Sequence, residues 1–259
     1  MPRRVYNHRE FDPRKLAAIR RRSVSVCIPA RNEEGTVGAI VASVRSHFMA
    51  EAGGVDLVDE IVVVDDGSSD RTAEIAERAG ARVARDEGSL GGKGEAMRLA
   101  VQASSGDLIV FLDGDVDPFP PHFVPGLLGP VLTDEDVALV KASYLRPLNG
   151  VPGEGGRVND LLARPVISLL FPELSEVRQP LAGETAVPRT VLEKVQLAPA
   201  YAVEIALLID VASSFGPHSI AQVDLGERTH RNRPLAELGP QATDVLRVAL
   251  ERAGIPVKY

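Results

Sequence analysis

The sequence predicts an α/β protein built on a mostly parallel β-sheet with helices on both faces. Three observations carry that expectation. Short apolar runs rich in Val and Ile alternate with amphipathic helical stretches from Val24 to Leu112, the order that makes right-handed crossovers onto a parallel sheet. Three of the first four runs end in polar, turn-rich sequence, and in such sheets ligands gather at the carboxyl ends of the strands. With 259 residues, 44% of them hydrophobic and 25% charged, the chain suits one generous domain of ordinary soluble composition.

The elements follow in order. Val24 to Ile28 reads as a strand stopped by Pro29, and a helix from about Thr36 to Phe48 carries Val37, Ile40, Val41 and Val44 at helical spacing. Glu60 to Val64 is the next strand, ending in Asp65-Asp66-Gly67-Ser68-Ser69-Asp70. Ser69 is the expected cap of a helix that runs to Ala79 and stops at Gly80. Ala81 to Ala84 makes a short third strand, and Gly91-Gly92-Lys93-Gly94 opens a helix over Glu95 to Ala103. Leu108 to Leu112 is apolar throughout, as suits a strand covered on both faces. Further strands are expected at Val137–Tyr144 and Ser219–Leu225, and helices at Val158–Leu170, Arg189–Val195, Val203–Phe215 and Ala236–Ala253. Residues 1–22 read as a charged N-terminal arm with a short helix around Arg14 to Ile19, leaving 23–259 as a single domain.

Bulk properties exclude several functions. A net charge of −7 supplies no broad field to attract nucleic acid. The single cysteine, Cys27, cannot form an internal disulfide and sits where a strand packs. No run approaches the roughly 18 apolar residues that a membrane span needs, and the basic N-terminus lacks the apolar core of a signal peptide. The expectation is a cytoplasmic protein with neither nucleic-acid nor membrane partners.

Chemistry concentrates at the strand ends. Leu108–Leu112 runs straight into Asp113-Gly114-Asp115-Val116-Asp117, and strand alternation would point Asp113 and Asp115 the same way. Two hard oxygen donors aimed at one point suit a divalent cation, although an acidic turn closing a strand would read the same in isolation. In Pro29-Ala30-Arg31-Asn32-Glu33-Glu34, Asn32 and Glu33 can hydrogen-bond a base or ribose, or can cap the next helix. The doubled acid Asp65-Asp66 exceeds what a turn and a cap require. Glycines around Lys93 let backbone amides and an ammonium approach a diphosphate. No Ser or Thr follows Lys93, so the loop is not that of a P-loop kinase or ATPase.

In this order the four segments resemble the nucleotide-sugar glycosyltransferases of the GT-A (Rossmann-like) fold, where an Asp-x-Asp holds Mg²⁺ or Mn²⁺ against the donor diphosphate. The second half narrows the match. Gly155-Gly156-Arg157-Val158, Ala163-Arg164-Pro165, Gln179-Pro180-Leu181-Ala182-Gly183-Glu184, Tyr201-Ala202-Val203-Glu204-Ile205 and His230-Arg231-Asn232-Arg233-Pro234 resemble the retaining glucosyl-3-phosphoglycerate synthases and the related mannosyl-3-phosphoglycerate synthases. The likeness extends from about Val24 to Pro256.

That resemblance implies transfer of a hexose from a nucleoside diphosphate sugar to the 2-hydroxyl of 3-phosphoglycerate, with residues 23–117 as the nucleotide-sugar half and 118–259 as the acceptor-binding half. It implies a divalent cation on Asp113, Asp115 and His230, with Asp115 as the direct ligand. Donor contacts fall on Pro29, Ala30, Arg31, Glu33, Asp66, Lys93, Asp113, Gly114, Tyr201 and Glu204. Acceptor contacts fall on Gly156, Arg157, Val158, Asn159 and Asn232; an arginine fork suits the phosphate and carboxylate of the acceptor. Catalysis falls on Asp115, Lys93 and the main chain of Leu181. Glu204, on an apolar helix, otherwise needs a buried partner. The family pattern has threonine where this chain has Asn159, and Asp117 matches no ligand. A homodimer through the C-terminal half is the family expectation. Glucose is favoured; GDP-mannose chemistry stays open. A polyprenyl-phosphate glycosyltransferase shares the early motifs but is expected to carry a membrane-facing apolar helix. A nucleotidyltransferase would show a Gly-rich, Arg-containing signature after the first strand, which this chain lacks.

Overall fold

A computed structural model describes residues 4–85, 91–147, 156–228 and 235–257. The strands are β1 (Val5–Asn7), β2 (Val24–Ala30), β3 (Glu60–Asp65), β4 (Arg82–Arg85), β5 (Leu108–Phe111), β6 (Leu139–Leu145), β7 (Thr185–Pro188) and β8 (Ile220–Glu227). The helices are α1 (Pro13–Ile19), α2 (Val37–Phe48), α3 (Thr72–Ala79), α4 (Lys93–Ala103), α5 (Phe123–Thr133), α6 (Arg164–Leu170), α7 (Arg189–Leu192), α8 (Val203–Phe215) and α9 (Leu235–Arg252).

Among the described residues the strands form one eight-stranded sheet in the order β1-β8-β6-β7-β5-β2-β3-β4. Pairing is parallel except where β7 lies antiparallel between β5 and β6. Alternate residues of each strand feed two cores. Val26, Ile28, Val63 and Val110 pack with α2 and α5 on one face, while Cys27, Val62, Val64, Ile109 and Phe111 pack with α4 and α8 on the other. Each fully buried Val, Leu or Ile side chain contributes on the order of 1.5–3 kcal/mol of burial free energy. Cys27 lies in the second core, where burial pushes its thiol up to about 12.

Several elements depart from expectation. Part of the segment expected as an arm is edge strand β1, which pairs with β8. Phe11 lies so close over α5 that a side chain at Gly129 would strike its ring. Helix α5 was not anticipated, because Pro125, Gly126, Gly129 and Pro130 hide its period. Every residue from Phe123 to Val131 is buried, so packing overrides weak propensity. Four-residue β7, two residues past Gly183 and ending in Pro188, is likewise a strand that the sequence pattern does not predict. The helix expected over Val158–Leu170 opens with a π-helical stretch, Asn159–Ala163, before α6. Ser69 does not cap α3. Arg71 holds the N-cap position without a side-chain cap bond, Asp70 just before it accepts from Thr72 N at 3.0 Å, and Ser69 N donates to Asn32 Oδ1 at 2.9 Å. No helix among the described residues is long and apolar enough to cross a membrane.

Candidate active site

The carboxyl ends of β2, β3 and β5 and the start of α4 open onto one cavity of about 330 Å³. Its wall contains Pro29, Ala30, Arg31, Glu33, Asp66, Lys93, Asp113, Gly114, Asp115, Gly156, Arg157, Val158, Asn159, Leu181, Tyr201 and Glu204, residues the sequence proposes for a site. His230 and Asn232 lie outside the described residues. Asp117 is exposed in the loop beyond Val116.

Lys93 is the first residue of α4, and its ammonium sits 2.6 Å from Asp113 Oδ1 and 2.6 Å from Glu204 Oε1. Glu204 therefore has the buried partner its helix demands. Close backbone packing fixes this group: a side chain at Gly94 would strike the Ala198 carbonyl, and one at Gly183 would strike Asp113 and Lys93. Burial alone would raise the Asp113 carboxyl. Lys93 and Arg228 overcome that and hold it well below the usual carboxylate range.

Strand β5 ends at Phe111, so a turn rather than strand alternation aims the two acids. Asp113 Oδ2 lies 2.9 Å and Asp115 Oδ1 2.7 Å from the same atom, Nη2 of Arg228. Arg228, just past β8, is 2% exposed, and its Nε stands 3.1 Å from Glu184 Oε1. Its Nη1 donates to Tyr144 Oη at 2.9 Å, and the phenol donates to Glu184 Oε2 at 2.7 Å.

On the opposite rim, Asp66 is buried and accepts from Gly92 N at 3.1 and 2.9 Å through its two oxygens. Arg31 approaches the same carboxylate at 3.9 Å. Asn32, read as either a base or ribose contact or a cap, bonds within the protein: its side chain accepts from Ser69 and its N–H donates to Ser68 Oγ. Its neighbour Glu33 lines the cavity, and the Glu33 N–H donates to Thr72 Oγ1 at 2.8 Å. Gly114 packs against Pro29 and Ala30, and its carbonyl accepts from Thr36 Oγ1 at 2.6 Å.

Asn159 is buried and spends its amide on the protein: Nδ2 donates to Arg178 O at 3.3 Å and Oδ1 accepts from Leu181 N at 3.3 Å. It holds the turn that carries Leu181. The other hand on that turn is Lys141, a fully buried lysine of β6 whose Nζ donates to Ala182 O at 2.6 Å. Burial lowers its ammonium to about 8, against the pull of Glu204 and Glu184.

The family model of glycosyl transferase family 2 matches residues 25–153. A glucosyl-3-phosphoglycerate synthase of Mycolicibacterium paratuberculosis is 47% identical over 249 residues, which cover 91% of this chain and 74% of that protein. This chain belongs to the glucosyl-3-phosphoglycerate synthase family. It is a glycosyltransferase, and its mostly parallel sheet is the GT-A fold. Among solved structures it is similar to glucosyl-3-phosphoglycerate synthase from Mycobacterium tuberculosis in complex with Mn²⁺, UDP-glucose and phosphoglyceric acid. That match has a TM-score of 0.89 at 42% identity and covers 100% of this chain and 90% of the other. The complex of the same enzyme with Mg²⁺ and UDP matches with a TM-score of 0.88 at 42% identity, over 98% of this chain and 88% of that one.

Within this synthase family frame, the residues that sequence reasoning missed are those of the buried hub: Arg228, Tyr144, Glu184 and Lys141, together with the wall residue Arg146. Glu184 lay inside a quoted motif without a role. Lys141 and Tyr144 read as ordinary strand residues. One signal was available for Lys141: a lysine within an apolar run, Leu139-Val140-Lys141-Ala142, cannot be buried without a partner.

Proposed function

We propose that this protein transfers glucose, with retention at the anomeric carbon, from UDP-glucose to the 2-hydroxyl of 3-phosphoglycerate, using Mg²⁺ or Mn²⁺ held by Asp113 and Asp115. The observation that carries this reading is the meeting, in one cavity, of the three strand-end segments, Lys93 and the Gly156–Asn159 segment with Arg157. UDP-glucose, phosphoglyceric acid and Mn²⁺ occupy the structure of the M. tuberculosis relative, which supports these ligands for this chain. The relatives described are glucosyl rather than mannosyl synthases, which supports glucose over mannose.

The carboxylate pair fits a divalent cation. Its two oxygens already enclose a single point of positive charge, Nη2 of Arg228, at 2.9 and 2.7 Å. A bound cation supplies Lewis-acid stabilisation of the charge that develops on the leaving diphosphate. His230 is the third ligand that the resemblance offers.

The protein's own groups do the rest. Lys93, clamped by Asp113 and Glu204 at the amino end of α4, offers an ammonium beside backbone amides to the diphosphate, where charge builds as the glycosidic bond breaks. Glu33, Asp66 and the backbone of Pro29 and Ala30 seat the nucleoside at the β2 and β3 tips. Arg157 takes an anionic end of the acceptor. Asn159 and Lys141 fix the turn so that the Leu181 main chain orients the reacting carbon and hydroxyl. The hydroxyl proton passes to the departing diphosphate oxygen, so no side-chain base is required. Residues 23–117 then act as the donor half and 118–259 as the acceptor half of a cytoplasmic homodimer that needs neither nucleic acid nor membrane; light scattering on the purified protein tests the dimer.

The deciding experiment assays UDP-glucose, GDP-glucose and GDP-mannose against 3-phosphoglycerate with Mg²⁺ and with Mn²⁺. Glucosylglycerate phosphate formed from UDP-glucose is the expected product. Turnover confined to GDP-mannose would move the chain to the mannosyl branch, and no turnover of 3-phosphoglycerate with any donor would overturn the reading.

A further inference from the structure

Arg146 follows β6 and lines the cavity between the carboxylate cluster and the Gly156–Asn159 segment. Its position is fixed. Nη2 donates to Tyr144 Oη at 2.6 Å, and the guanidinium centre lies 4.8 Å from the centre of the Tyr144 ring. Arg228 donates to the same phenol, so one tyrosine orients two arginines. Their charge balance differs sharply. Arg228 is surrounded by Asp113, Asp115 and Glu184, whereas Arg146 forms no ion pair among the described residues. Its Nε is buried without a hydrogen-bond partner. The side chain nevertheless lines the cavity with no carboxylate at ion-pair distance among the described residues, so its charge is open to an anion bound there.

The neighbouring backbone says which anion. A Cβ built on Gly156 would lie 3.4 Å from Arg146 Cδ and 3.5 Å from its Nη1, so the segment that delivers Arg157 runs directly against Arg146. A phosphate monoester carries a charge of about −1.5 to −2 at neutral pH. One arginine neutralises a carboxylate; a phosphate calls for two, and planar guanidinium forks match its oxygens.

We propose that Arg146 is a second phosphate-binding arginine, acting with Arg157 on the phosphate of the three-carbon acceptor. This rests on the substrate reading above, and it adds a residue that the motif resemblance did not supply. Tyr144 is the positioning residue that keeps the fork aimed.

The test compares wild type with Arg146→Met, which keeps much of the length and loses the charge, and with Arg146→Gln, which keeps a donor for the Tyr144 phenol. Melting temperature reports folding, and if the methionine variant fails to fold, the glutamine variant decides. The expected result is a tenfold or greater rise in KM for 3-phosphoglycerate with the KM for UDP-glucose within twofold of wild type. An acceptor KM within twofold of wild type, or donor and acceptor KM rising together, would overturn the proposal. Calorimetric titration of inorganic phosphate, with UDP and Mg²⁺ saturating, separates this from the substrate reading because it needs no turnover. Phosphate binding at least tenfold weaker in the variant supports the site even if wild type fails to use 3-phosphoglycerate. Equal binding alongside normal wild-type turnover removes Arg146 and leaves the substrate reading standing.

Discussion

Arg228 shows how much one side chain can organise. Three carboxylates and a phenol surround a guanidinium that is 2% exposed, and among them Glu184, 0% exposed, would be costly to bury without it. Arg228→Met should therefore lower unfolding stability by about 3–5 kcal/mol, because it leaves the buried Glu184 without its cation. A denaturant titration checks it, and a loss below about 1 kcal/mol would mean the cluster relaxes or takes up protons instead. Asp115 makes the opposite case. It is part-exposed at the cavity wall, so Asp115→Ala should keep the wild-type melting temperature and lose turnover by on the order of a hundredfold or more. Unaltered turnover at saturating Mg²⁺ would take Asp115 out of the metal site. Arg157→Ala should raise the acceptor KM far more than the donor KM, and equal effects would remove its acceptor role. The difference in legibility between these residues has a physical origin. Asp115, Lys93 and Arg157 sit in short motifs whose spacing is set by a turn, so sequence records them. Arg228 acts across 113 residues of chain on Asp115, and nothing local distinguishes it from a surface arginine after a strand.

Elements are held at their ends by similar polar anchors. Glu60, the first residue of β3, accepts from Ser25 Oγ of β2 at 2.6 Å and from Ser105 N at 2.5 Å, and pairs with Arg82 of β4 at 2.7 Å. Burial raises its carboxyl, but the hydrogen bonds win and bring it down to about 2. A lowered carboxylate stabilises the fold above its unfolded pKa of about 4.3 and loses that contribution as pH falls towards 2. Glu60→Gln should cost about 1–2 kcal/mol at pH 7 after allowance for solvent screening, with the gap closing between roughly pH 4 and 2. A gap that stayed constant with pH would assign the loss to packing. The four alternating strands and helices of the first half were legible because hydrophobic period and turn residues agree there. Strands β1 and β7 were not: both are short, and neither stands in the strand-helix alternation that made the equally short β4 and β5 legible. Helix α5 failed for another reason, since its prolines and glycines signal a break that burial on all sides overrides.

At the scale of the molecule, strand order interleaves the two halves: β7, from the second half, pairs with β5 of the first. The two halves therefore share one sheet, a stitching that the order of elements along the sequence does not show. Cys27 lies in β2 between β5 and β3, 0% exposed, and it is the single thiol of the chain. A thiol-reactive probe reaches it only when that central part of the sheet opens. The native protein thus carries a built-in clock. Its labelling rate under native conditions should match the rate of global opening taken from denaturant extrapolation, and saturating UDP with Mg²⁺ should slow it by the factor that mass action sets. Labelling that ignores ligand would show that the sheet breathes at β2 without the site coming apart. In a laboratory, one chromophore at one cysteine would then report ligand binding with no substrate turned over and no residue changed.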